Sequence, residues 1–331
     1  MVYSDTGPSR RFDSRSVRTP LAWLVATGLL LALPLFVSDY RLFQIGLIAS
    51  TSIIAAGLVI VTGIAGQVSL AQAAFAALGA YGSTLLAQQV GIPQWVGIPV
   101  TALAVGACGF VLGLLTLRVE GHNLALATMA LTAIIQVVIV HWESLTGGAL
   151  GLAVPPLKIG GVLLTSGAAL FYVIVPITVA MFALATNLLK SRVGRAFAAL
   201  RQSEVAAQSS GVHVLHYKAL AFAVSAVFGA VGGALQALQT TYLDPQVFGI
   251  LESVFFIAII VIGGFRSMFG AVLGSAAFTV IPPMLGGFQS YKGFTFALLL
   301  LLTIVVFPGG LASLGTAVLS TARSYLTKVG K

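Results

Sequence analysis

Ten apolar runs, none with an Asp, Glu, Lys or Arg at its centre, fill the chain from residue 20 to residue 308. A helix crosses a bilayer with about twenty such residues, and in lipid it must satisfy its own backbone hydrogen bonds. The runs are 20–38, 42–62, 68–90, 95–117, 121–142, 167–189, 218–240, 250–265, 268–286 and 293–308, the eighth being short. Only 8% of the 331 residues are charged, against about 25% in a soluble domain. The expected fold is an all-α polytopic membrane protein of about ten transmembrane helices. Residues 1–19 form a basic N-terminal segment, 20–308 the membrane domain and 309–331 a short tail. No small-x-small cleavage site follows the first run, so it is expected to stay as a signal-anchor helix.

Sidedness follows from the basic residues. With the N-terminus inside, 14 Lys and Arg fall on the cytoplasmic side and only Arg41, Lys158 and Lys292 outside, as the positive-inside rule requires. The net charge of +9 is thereby explained by topology and does not call for nucleic acid. The same count places 190–218 in the cytoplasm, a polar island carrying Lys190, Arg192, Arg195, Arg201, Glu204 and Lys218. Val193, Phe197, Leu200 and Val205 recur in it at helical spacing. Ser203 reads as an N-cap and Gly211 as a C′ stop, which predicts two short amphipathic helices joined at Gln202–Ser203. Such an element either touches lipid headgroups or docks a soluble partner.

Residues 63–90 are unlike the other runs. Gly63, Gly66 and Gln67 interrupt the segment early, and small residues dominate its remainder. Backbone that leaves a helix at membrane depth is buried in protein or lines a wet cavity, and broken helices mark transport pathways. Small residues equally serve tight packing. Gln67, Ser69 and Gln72 favour the pathway, since polar groups in a span need a partner or water. GxxxG spacings at Gly109/Gly113, Gly229/Gly233 and Gly270/Gly274 are packing signals. The sequence 263–267 (GGFRS) reads as a tight turn between two spans.

The chemistry that is missing narrows the function. All eight acidic residues lie in loops or near span ends, which argues against a proton- or sodium-coupled carrier. The sequence has no GxxxxGK[ST] phosphate loop, HExxH, GxSxG or Cys/His cluster, and Cys108 is the single cysteine. His213 and His216 lack a third ligand nearby. No enzyme activity is expected of the chain. It reads as a pathway without an engine, and the basic island as the place where separate ATPases dock.

Four stretches in order carry a family resemblance. GIAGQVSLAQAAFAALGAY (63–81) is similar to GxxGQxSLGHAAFxxxGAY, and 118–152 to LRxxGxYFALxTLA…SLTGGxxGL. SRVGRAFAALRQSEVAAQSSG (191–211) resembles the ATPase-coupling pattern SxxGRAxxAIRExExAAxxxG, and 263–282 resembles GGxGSxxGPxxGA…P. The chain thus resembles the LivM-like permease subunits of branched-chain amino acid ABC importers over nearly its whole length. Ala71-Gln72 stands where Gly-His is usual, His122-Asn123 replaces an aromatic pair, Gln202-Ser203 an acidic pair, and Phe265-Arg266 follows Gly264 in place of a Gly.

The resemblance implies half of an importer in a bacterial cytoplasmic membrane, with both termini inside. Its partners would be a second homologous (LivH-like) permease, two ATP-binding subunits holding ATP and Mg, and an external solute-binding protein. The chain itself would bind no cofactor or metal. Gly194, Arg195, Phe197, Leu200, Arg201, Glu204 and Gly211 would couple to the ATPase, the two glycines by close backbone approach, the apolar pair by filling a groove, the charges by pairing with it. Gly63, Gly66, Gln67, Ser69, Gln72 and Phe75 would border the translocation pathway. The substrate would be a branched-chain or related amino acid; urea, short amides and other small carboxylates are the alternatives within the family. A single-chain ion-coupled carrier, or a scaffold that binds lipid, is the rival outside it.

Overall fold

A computed structural model describes residues 37–115, 122–159, 162–164 and 166–284, together with Pro34, Gly310 and Leu311. The expected first and tenth spans, the N-terminal segment and nearly all of the tail lie outside these residues. The long helices are α1 (Asp39–Leu58), α2 (Gln72–Gln89), α3 (Gln94–Leu115), α4 (His122–His141), α5 (Gly167–Lys190) and α8 (Val214–Thr240). Between the last two lie α6 (Arg192–Gln202) and α7 (Glu204–Ser209), and after them come α9 (Ile250–Gly263) and α10 (Met268–Met284).

Five of these helices are long and apolar enough to cross a membrane, six if the bent pair α9–α10 counts as one span. At two places the described helices differ from separate, full-length apolar runs. The run 68–90 is helical only from Gln72, and α2 is not one of the five. It does not need to be, because its sides face protein: Gln72 to Ala77, Gly79 to Tyr81, Ser83 and Thr84 are buried. The runs 250–265 and 268–286 form helices of 14 and 17 residues bent by 117° at their junction. Glycine explains the bend, since side chains added to Gly263 and Gly274 would run into the backbone of Gly270 and of Ile259.

Helices α1, α2 and α8 make the centre. The most apolar stretch of α1 with its continuation is 83% buried and that of α8 72%, against 33%, 28% and 33% for α3, α4 and α5. The centre is held by backbone approach. A methyl added to Gly79 would strike Ala230, and one added to Gly233 would strike Ala76, so α2 and α8 touch main chain to main chain. The other two GxxxG pairs serve the same purpose: Gly109 and Gly113 of α3 meet Ala226 and Ala219 of α8, and Gly270 and Gly274 face α9. Without a hydrophobic drive between helices in lipid, this dense contact is what holds them together.

The connections gather at two ends. One end carries β1 (Leu152–Ala153) paired antiparallel with β4 (Tyr242–Leu243), and the hairpin β2 (Leu157–Ile159) with β3 (Val162–Leu164). Gln88 Nε2 donates to the Ala153 carbonyl at 2.6 Å and the buried Tyr81 hydroxyl to that of Leu243 at 3.4 Å, tying α2 to this end. The other end gathers the turn after α1, the α6–α7 loop and the 264–267 turn, the grouping that the positive-inside count requires.

Candidate functional site

The break between α1 and α2 begins as a change of helical pitch. Val59–Ile64 is wound as a π-helix, with Ala65 N–H donating to Ile60 O at 2.9 Å. Such turns relax the helix ladder and recur at functional sites. Gln67 N–H reaches back to Val61 O at 2.9 Å, and Gly66 adopts φ +77°, open to glycine at little cost. From there to Ala71 the chain is neither helix nor strand. Its side chains alternate: Gly66 and Val68 are exposed, while Gln67, Ser69 and Ala71 are buried.

An irregular segment among apolar helices leaves peptide groups without helical partners, and distant hydroxyls supply them. Leu70 N–H donates to Thr128 Oγ1 at 2.9 Å, and Thr132 Oγ1 donates to Leu70 O at 2.7 Å, so α4 holds both sides of one residue. Ala73 N–H donates to Ser253 Oγ of α9 at 3.2 Å, and Ala71 N–H to Ser69 Oγ at 3.3 Å. Thr128, Thr132 and Ser253 are the residues that sequence reasoning missed. Their only signal was a hydroxyl inside an apolar run, which most often bonds its own helix.

Gln72 is wholly buried. Its Nε2 donates to Ile54 O at 2.8 Å and more weakly to Ser225 O at 3.5 Å, and its Oε1 accepts from Ser225 Oγ at 2.9 Å. In this conformation the amide ties α1, α2 and α8 together instead of facing an open path. Phe75, also wholly buried, packs on Gly229. Gly63 allows the break to close on the 264–267 turn, since a side chain there would meet the Phe265 carbonyl.

The loop at the same end folds as its sequence predicts. Ser191 caps α6, accepting from Val193 N–H at 3.1 Å while donating to Leu188 O at 2.6 Å. Ser203 caps α7, accepting from Ala206 N–H at 3.2 Å. Gly211, at φ +81°, closes it: Val212 N–H bonds Ala207 O and Gly211 N–H bonds Gln208 O, both at 3.0 Å, the paired bonds of a Schellman stop.

Most of the polar and apolar side chains of this loop also find partners within their own chain. Phe197 and Leu200 fill a groove, but one of this chain: they are buried, and Phe197 meets Tyr217 edge-on at 6.4 Å between ring centres. An amphipathic helix this short is held by burying that face, which removes it from a partner's reach. Gly194 does permit a close approach, against the backbone of Leu189, whereas nothing lies near the missing side chain of Gly211 and only its φ calls for glycine. Glu204 is paired within the chain. It bonds Lys218 Nζ at 2.6 Å, the lysine side chain being 5% exposed and the glutamate 40%. Arg195 is exposed, with Nη1 3.3 Å from Lys190 O. His213 and His216 stand edge to face on a surface cleft of about 600 Å³, and no trio of metal-ligating side chains occurs among the described residues.

Arg201 joins the two halves of the site. It lies over the break, where a methyl added to Gly66 would sit 3.0 Å from its Cγ and 3.2 Å from its Cβ. Burial first, and the Arg266 charge second, hold its guanidinium below its ordinary pKa.

The model of a family described as branched-chain amino acid transport system / permease component matches residues 41–307. The chain belongs to that family. Two permeases share 28% identity with it over 323 residues, covering 90% of this chain and 76% of theirs. Both are high-affinity branched-chain amino acid transport system permease proteins LivM, from Escherichia coli K12 and Salmonella typhimurium LT2. No solved structure matches. The permease family match spans the break, the α6–α7 loop and the bent pair together.

Proposed function

We propose that this permease is one half of an ATP-driven importer in a bacterial cytoplasmic membrane, moving branched-chain or related amino acids. The observation that carries the reading is the contact of Arg201 with Gly66, by which the loop rests on the broken helix. A push on α6–α7 from an ATPase is delivered where α1 unwinds and α2 begins. The end bearing that loop is cytoplasmic, and the termini lie on the same side. A second, homologous permease completes the pathway, with the exposed face of the break, Gly66 and Val68, turned towards it. An external binding protein delivers substrate at the end built from β1–β4. ATP and Mg belong to the two partner ATPases.

Arg201→Glu is expected to uncouple hydrolysis from uptake while leaving membrane insertion unchanged, measured as ATP consumed per substrate in proteoliposomes. Wild-type uptake by that variant would refute the coupling role. The broader reading is tested by purifying the tagged chain from its native membrane. Recovery of a second permease and two Walker-type ATPases supports it. Uptake by the purified chain alone would establish a secondary carrier instead.

A further inference from the structure

Away from the break, α1, α5 and α10 leave a groove of about 590 Å³ between them. Its walls include Ile45 and Ser52 of α1, Val175 and Thr186 of α5, and Met268 and Val272 of α10. The hydroxyls in its lining are spent on their own helices. Ser52 Oγ donates to Ala49 O at 2.7 Å, Thr178 Oγ1 to Ile174 O at 2.8 Å and Thr186 Oγ1 to Ala183 O at 2.9 Å. None of the three is left for a polar ligand, so the groove suits hydrocarbon. From Val175 to Thr186 it follows α5 for about 16 Å, at 1.5 Å per residue. That is the depth of one leaflet, half of a hydrocarbon core about 30 Å thick, whereas a crossing helix needs the whole. A methylene takes up about the room of a water, ~30 Å³, so the groove holds roughly twenty carbons, the bulk of one acyl chain.

The groove ends towards the α6–α7 loop, and a cation follows it there. Phe182, Thr186 and Lys190 succeed one another at four-residue steps and so share a face of α5. Lys190 stands about 6 Å beyond Thr186 along the helix, the depth of a headgroup. It is exposed, and the loop's one acid, Glu204, bonds Lys218 instead. Arg192, two residues on, is exposed as well. We propose that the groove is a binding site for an anionic phospholipid, one acyl chain lying between α1, α5 and α10 and the phosphate resting on Lys190. The site goes beyond the importer reading and does not depend on it. A lipid seated there fills the space between α1, whose far end unwinds into the break, and the α10 arm of the bent pair. Phe269, 62% exposed on the groove wall, gains a neighbour from the chain it flanks.

The test is photolabelling of the full wild-type chain in phosphatidylcholine vesicles that hold a trace of phosphatidylglycerol with a diazirine in its acyl chain. Mass spectrometry is expected to find the adducts concentrated on the groove, at Val179, Phe182 and Phe269. Unlabelled phosphatidylglycerol should displace them, and unlabelled phosphatidylethanolamine should not. Adducts spread evenly over α3, α4 and the groove would mean bulk lipid only and overturn the proposal. A groove left unlabelled while α3 and α4 are labelled would overturn it too, since residues 20–36 or a second permease then covers that face. Lys190→Gln is expected to cut the advantage of phosphatidylglycerol over phosphatidylethanolamine as competitor about fivefold. An unchanged advantage in that variant would refute the contact between Lys190 and the phosphate, and with it the anionic site.

Discussion

The break at 65–71 and the loop at 191–211 both interrupt helices, and they satisfy their backbones in opposite ways. The loop does so locally: Ser191, Ser203 and Gly211 each close a helix end with bonds that span two to five residues. The break borrows from far along the chain, taking Thr128 and Thr132 from α4 and Ser253 from α9. At the loop, water can replace a lost cap. Among apolar helices nothing replaces a lost hydroxyl, so the break exists only while the whole bundle is assembled.

The sharpest way to break this comparison is to remove the borrowed hydroxyls. Thr128→Val with Thr132→Val keeps shape and leaves Leu70 N–H and C=O unpaired, at about 1–3 kcal/mol for each group. Thermal unfolding in detergent should show the summed loss, and uptake should vanish. A double variant within about 0.5 kcal/mol of wild type would mean that the break finds other partners. Next comes the ion pair that anchors the loop. Glu204→Ala leaves a buried lysine unpaired and should cost about 2–3 kcal/mol, less than a wholly buried pair because the glutamate is 40% exposed. Lys218→Met should cost less, since it removes the buried charge altogether; the reverse order in chemical denaturation would sink this account. The smallest effect is expected at a cap. Ser203→Ala should cost about 1 kcal/mol, seen as faster hydrogen exchange in α7 with the break untouched. Protection lost around Leu70 in that variant would show that the two interruptions are not independent.

The features legible in the sequence obey the same division. Ser203 and Gly211 could be placed as cap and stop because capping depends on residues close by in the chain. The GxxxG pairs could be read as packing sites for a similar reason: four-residue spacing puts both glycines on one face whichever helix arrives. Gln72 shows where this kind of reading ends. A polar side chain in an apolar run needs a partner, but whether that is water in a pathway or Ser225, 153 residues later, depends on which helix lies opposite. Glu204 was open in the same way, since its pairing with Lys218 requires α8 to pass beneath α7.

By itself the sequence determined that the chain is a helical membrane protein, where its loop helices begin and end, and which motifs it shares with its family. Apolar length, capping chemistry and charge bias act over a few residues and need no knowledge of neighbours. The tertiary structure alone decided that 250–284 folds as a bent pair, that Phe197 and Leu200 are turned inward, and that three hydroxyls hold the break. It also decided that Arg201 rests on Gly66 and the turn carrying Phe265 on Gly63, both at the foot of that break. Each of these depends on contacts between residues far apart in the chain, and such contacts are set by how the helices pack.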